Sequence, residues 1–233
     1  MSGVRQYEGR AAAFFDIDGT LVPEPSLERR LFFALRRRGA IPWTNCARWG
    51  TEALRLLPRG LAAVTQGNKR YLQGMRVEEV LDAVEPAAFF EEGVARAEWH
   101  ARRGDAIVLM TGMIKPLARV VAMALECELE ARGLEIEVFV SATRLEERAE
   151  IFTGRVLGEA NFGEAKRKAA VTFARAMQIQ LHESHAYGNT LRDQAMLETV
   201  GHAHAVNPGR EFAQLANLCD WAIWHWHHET RIL

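Results

Sequence analysis

Two aspartates set i, i+2 apart follow directly on an apolar run in FFDIDGTLV, residues 14 to 22. On an extended backbone this spacing projects both carboxylates of Asp16 and Asp18 to one side. At the carboxyl end of a strand they would sit where ligands gather in open α/β sheets. One carboxylate can then attack while the other handles protons. A D-G pair also makes ordinary surface turns, but such a turn does not require a second aspartate behind so apolar a strand.

Three further segments could complete a phosphate site. In AIVLMTGM, a buried strand delivers Thr111 and Gly112 to its carboxyl end, just before a helix carrying Pro116 near its start. A hydroxyl and free N–H groups there suit a phosphate oxygen, although threonine at such a place also serves as a cap. In GEAKRKAAVTFARAM, Lys166 and Lys168 could bring positive charge to the carboxylates. In AYGNTLRDQAMLETVGHAHAVNP, residues 186 to 208, a strand ends in a glycine turn with Asn189 and Asp193 close behind.

These segments need a scaffold, and the chain has one of ordinary globular composition. With 48% hydrophobic and 25% charged residues among 233, it can bury a sizeable core. Five short apolar runs read as strands of a parallel sheet flanked by helices: Ala11 to Phe15, Ala106 to Met110, Ile136 to Val140, His185 to Gly188 and Ala203 to Val206. The interval from Pro23 to Arg102 lacks a strand pattern and reads as helices, over Leu27 to Arg38, Trp43 to Leu57 and Val77 to Val84. Breaks fall at Pro58, Arg59, Gly60 and at Gln66, Gly67, Asn68, and Arg103, Gly104, Asp105 turn back into the sheet.

Charge narrows the partners. With 29 basic and 30 acidic side chains, the overall balance gives no reason to expect nucleic acid or an anionic membrane, and a small polar substrate fits better. Cys46, Cys127 and Cys219 are scattered with no C-x-x-C spacing, as expected of a reducing, cytoplasmic compartment. The opening MSGVRQYEGR lacks a signal-like apolar run, and no stretch approaches the ~20 apolar residues of a membrane span.

The DxDGT-type motif at residues 16 to 20 resembles the haloacid dehalogenase superfamily, and the likeness covers nearly the whole chain. It implies an α/β fold, a Rossmann-like parallel sheet core formed by residues 1–22 and 103–233, with an inserted helical cap over 23–102. It also implies phosphoric monoester hydrolysis with Mg2+, in which Asp16 becomes transiently phosphorylated and Asp18 serves as general acid and base. Thr20 would orient the site, Thr111 and Gly112 would bind the phosphate, and Lys166, with Lys168 in reserve, would offset charge. The metal would be held by Asp16, Asp18, Asn189 and Asp193. Relatives usually carry GDxxxD in the fourth segment, so Asn189 stands where an aspartate normally coordinates magnesium. A neutral amide oxygen attracts a hard cation less strongly.

The insertion's position resembles the phosphoserine-phosphatase-like branch, whose lid selects substrate. The glutamate that such enzymes carry after the first motif has its nearest counterpart in Glu24. Lys69 and Arg70 are cationic candidates in the lid, while the run Arg36, Arg37, Arg38 lacks the aromatic interleaving of a nucleic-acid patch. The expected substrate is a small phosphorylated metabolite. A degenerate phosphate-binding module and a phosphotransferase with an alcohol acceptor are the alternatives. The terminal WAIWHWHHETRIL would place His225 and His227 opposite Trp224 and Trp226 on an edge strand or packing tail, with no metal set evident in it or in His228.

Overall fold

Four consecutive small and aromatic apolar residues, Ala12–Phe15, form strand β1, and all four are buried. A strand covered on both faces must lie at the centre of a sheet. The computed structural model describes residues 9–59, 64, 67–84 and 88–228. In it β1 is flanked by β2 (Ala106–Ile114) and β6 (His185–Gly188), with β3 (Val138–Thr143), β7 (His202–Val206) and β8 (Ala222–Trp224) outside them. The order is β3-β2-β1-β6-β7-β8, and every neighbouring pair is parallel. The chain winds one way from β1 to β3 and the other way from β6 to β8, so the end of β1 lies at the reversal where α/β sheets bind ligands.

Strand alternation divides the core in two. Ala13 and Phe15 face one cluster while Ala12 and Phe14 face the other. Helix α4 (Glu91–Arg103) packs on β1 and β2, and α5 (Lys115–Glu130) packs on β2 and β3. On the opposite face lie Ala170 and Ala174 of α6 (Glu164–Met177) and Phe212 and Ala216 of α8 (Arg210–Leu218), with the one-turn α7 (Gln194–Leu197) between them in sequence. His100 of α4 is fully buried, bonded through Nδ1 to Asp105 at 2.7 Å and through Nε2 to the Tyr187 hydroxyl at 2.9 Å.

Residues 27 to 81 supply α1 (Leu27–Arg37), α2 (Trp43–Leu56) and α3 (Val77–Leu81), with a 3-10 turn at Arg70–Leu72. Leu27, Leu31 and Leu35 of α1 join Leu72 and Val80 in the same cluster as Phe15, so the helical segment rests on the sheet's core.

The structure corrects several sequence boundaries. Strand β2 runs on to Ile114, so Thr111 and Gly112 lie within it rather than beyond its end. Its register against β3 shifts between Met110 and Ile114, and Thr143 Oγ1 of β3 donates to Gly112 O at 2.7 Å, which keeps the outer part paired. Strand β3 begins at Val138 rather than Ile136, and α3 stops at Leu81. An antiparallel hairpin of β4 (Leu145–Arg148) and β5 (Ile151–Val156) was not expected from the sequence. Polar residues on its outer face break the apolar pattern, while Leu145 and Phe152 are buried. The proposed breaks at Gly60 and Gln66, and the last five residues of the terminal segment, lie outside the described residues.

Candidate active site

β1 ends one residue before Asp16, whose backbone N–H still donates to Tyr187 O of β6 at 2.9 Å. The chain then turns tightly, with Leu21 and Val22 N–H groups both bonding Ile17 O, and Gly19 adopts φ +80°. That turn presents Asp16 and Asp18 to a cavity of about 300 Å³. Thr20 is buried and donates its hydroxyl to Asp16 Oδ2 at 3.2 Å, fixing the carboxylate from behind. Asp18 Oδ1 accepts the Leu27 N–H at 2.8 Å, which ties the first turn of α1 to the site.

Lys166 sits in the first turn of α6 and is 1% exposed, with Nζ 2.5 Å from Asp16 Oδ1 and 2.6 Å from Asp193 Oδ1. Lys168, two residues on, points elsewhere and reaches only the exposed Glu159. Asp193 is held in turn by the N–H groups of Asn189 and Thr190 and by the Thr190 hydroxyl, all on Oδ2. Burial opposes the charge on Lys166, but the carboxylates of Asp16 and Asp193 outweigh it and raise its pKa. Burial first, then the nearby Asp193 charge, pushes Asp16 up to about 7, with Lys166 pulling the other way. Asp18 is pushed up to about 6, chiefly by burial.

The far wall comes from β2. Thr111 is buried, and its Oγ1 accepts the Met113 N–H at 3.2 Å, which leaves the hydroxyl hydrogen free to donate. Gly112 is required there because a Cβ would sit 1.9 Å from the Phe162 ring. The neighbouring Asn161 secures this wall, donating to Thr111 O at 3.2 Å and Ser141 O at 2.8 Å. Spacing in the sequence assigns no role to Asn161 and Phe162, although a polar-aromatic-glycine step before a helix is a readable signal.

The structure thus brings Asp16, Asp18, Thr111, Gly112, Lys166, Asn189 and Asp193 to one cavity, with Thr20 behind it and Glu24 at its mouth. Glu28 and Arg29 of α1 and Arg192 also reach the mouth. Lys69 and Arg70 do not line this cavity: Lys69 is buried against Glu28 at 2.6 Å, and Arg70 bonds Thr153 O. His225 and His227 stack on each other in solvent, while Trp226 is buried against Leu21 and Gly93 beyond edge strand β8.

The family model of haloacid dehalogenase-like hydrolases matches residues 13–198, which span the first motif and the Asp193 turn. The chain belongs to that family. Among its relatives, the inhibition of morphological differentiation protein of Streptomyces azureus is 26% identical over 96% of this chain and 81% of its own length. Phosphoserine phosphatase SerB1 of Mycobacterium tuberculosis is 28% identical, covering 91% of this chain and 70% of its own. A solved phosphoserine phosphatase, captured as an analogue of its phospho-aspartyl intermediate, shares the fold with a TM-score of 0.60 at 18% identity over 94% of both chains.

The donors at the cavity suit a hard divalent cation, since Asp16, Asp18 and Asn189 all offer oxygen. Burial, joined by the charge of Asp193 at Asp16 and by the charges of Glu28 and Glu24 at Asp18, holds both carboxyls above their ordinary values, a penalty that a nearby cation relieves.

Proposed function

We propose that this chain is a magnesium-dependent phosphatase that hydrolyses a small phosphomonoester through an aspartyl phosphate on Asp16. One observation carries the reading: a fully buried lysine bridges Asp16 to Asp193 at the carboxyl end of the central strand. A lysine is seldom buried unless its charge is needed locally, and here it faces both the attacking carboxylate and the incoming phosphoryl oxygens.

In the first displacement an Asp16 oxygen attacks phosphorus, the bond from phosphorus to the substrate oxygen breaks, and Asp18 gives that oxygen a proton. In the second, Asp18 takes a proton from water, the water oxygen attacks phosphorus, and the bond to Asp16 breaks to release inorganic phosphate. A carboxyl held near 6 exchanges protons readily at neutral pH, which suits Asp18 to this double duty. The Thr111 hydroxyl donates to a phosphate oxygen, and Lys166 offsets the charge that gathers on the phosphoryl group. Asp16, Asp18 and Asn189 would hold magnesium, with Asp193 acting through water because its oxygens already serve Lys166 and the Thr190 turn. When bound, the ion supplies charge stabilisation for the transferring group.

The lid is the inserted segment 23–102, whose last helix, α4, packs on β1 and β2 of the sheet. The cysteines, exposed and free, support a cytoplasmic setting. Asn189 favours one other reading, a phosphate-binding module without turnover. Incubating purified protein and Mg2+ with phosphorylated metabolites and an aryl phosphate separates the two. Release of inorganic phosphate, lost by at least roughly a thousandfold in Asp16→Asn, is the expected result. Wild-type turnover in that variant, or none in the native chain, overturns the reading.

A further inference from the structure

Surface helices ordinarily bury their apolar stripe and expose the polar one. Helix α2 does the reverse. Its only fully buried side chain is Asn45, whose amide donates to Tyr71 O at 3.3 Å and Gln73 O at 2.6 Å. Trp43, Cys46, Gly50 and Leu54 recur at the i, i+3 and i+4 spacing of one face. Trp43 is 79% exposed and Leu54 71% exposed, and Leu57 just beyond the helix is also exposed. On α1, Phe33 is 48% exposed beneath the guanidinium of Arg29.

The same stretch is strongly basic although the whole chain is not. Residues 27 to 59 contain eight arginines and two glutamates. Of those glutamates, Glu28 is engaged by Lys69 and Glu52 by Arg55. Exposed tryptophan and leucine on a stretch with eight arginines against two glutamates is the composition of a helix that lies in the interface of an anionic bilayer.

We propose that α1 and α2 form a docking surface for an anionic lipid membrane, with the apolar face of α2 inserted among the head groups. Charge decides against a second copy of this chain as the occupant. An isologous pairing would set the same arginine excess against itself, whereas an anionic bilayer complements it. No described helix is long and apolar enough to cross a membrane, so the contact is peripheral. Trp43, Leu54, Arg36 and Arg55 do not line the cavity, and the contact does not rest on the reaction proposed above.

Co-sedimentation tests it. The full chain is mixed with phosphatidylcholine vesicles, alone or with roughly a third phosphatidylglycerol, and binding is expected to be at least about tenfold tighter on the anionic vesicles. The double variant Trp43→Ser, Leu54→Ser should lose about tenfold or more of that binding, as should Arg36→Glu, Arg55→Glu. All four side chains lie outside the cavity, so melting temperature and turnover of a soluble phosphomonoester should match the parent and certify folding. Absence of binding, equal binding to neutral vesicles, or undiminished binding by both variants overturns the proposal. A dimer in solution that Trp43→Ser, Leu54→Ser dissolves overturns it as well, because the face would then belong to a second copy.

Discussion

The side-chain amide of Asn189 rests on the bare Cα of Gly19, where a Cβ would stand 2.0 Å from Nδ2. Two segments 170 residues apart therefore meet at the turn that carries Asp16 and Asp18. Gly19 also holds φ +80°, a conformation that costs other residues on the order of 1 kcal/mol. Gly19→Ala should accordingly displace Asn189 and the turn together. We expect activity to fall at least about a hundredfold with a stability loss of roughly 1–3 kcal/mol. A denaturant midpoint and a steady-state assay, read side by side, check both numbers, and near-native activity would show that the turn yields freely.

Lys166 and Lys168 differ in what surrounds them. Removing Lys166 leaves Asp16 and Asp193 facing each other in a buried site without their shared cation. Lys166→Ala should reduce turnover by roughly a hundredfold or more, while Lys168→Ala, which frees only an exposed contact to Glu159, should stay within about twofold. Equal small losses would show that neither lysine offsets charge in the reaction.

In the proposed site Asn189 would offer magnesium a neutral oxygen where the family resemblance leads one to expect a carboxylate. Asn189→Asp adds a formal negative charge beside the cavity, and magnesium affinity should rise about tenfold or more. Calorimetric titration of Mg2+ into both proteins measures this without reference to turnover. Unchanged or weaker binding in a folded variant would remove Asn189 from the metal's ligands.

A stacked row of aromatic and imidazole rings gives the fold an acid-sensitive edge. His185 Nδ1 and His204 Nε2 lie 3.0 Å apart, Trp224 Nε1 donates to His204 Nδ1 at 3.1 Å, and His204 stacks on Tyr187. Burial lowers His185 to about 3 and His204 to about 4. In the unfolded chain both titrate near 6.5. The unfolded state therefore binds protons below about 6.5 that the folded state refuses, and this contribution to stability is complete above that pH and lost as pH falls toward 4. Asp16 and Asp18, raised to about 7 and about 6, act in the opposite sense over much the same range. The comparison that isolates the histidines is His204→Phe, which keeps the ring and removes the titration. Its melting temperature should fall less than wild type's between pH 7 and pH 5, and parallel declines would discount His204.

The first motif was legible because nearest-neighbour chemistry fixes it: an apolar strand running into two aspartates and a glycine leaves few folds for the chain to adopt. Five of the six strands of the main sheet, β1, β2, β3, β6 and β7, were legible for the same local reason, each containing a short apolar run bounded by turn residues. The hairpin β4–β5 was not, since its outer face is polar and only pairing between its strands makes it a sheet. Residue type left Lys166 and Lys168 both available and the family resemblance favoured Lys166, but only the position of α6 against β1 buries the first and exposes the second. Asn161 and Phe162 acquire their place from contacts with residues 18 to 50 positions away. The sequence marks Trp43 to Leu57 as a helix, and only tertiary packing shows that Trp43 and Leu54 on it are turned to solvent. Residue type and spacing determine which chemistry is available, and long-range packing decides which side chains reach the cavity and which meet water.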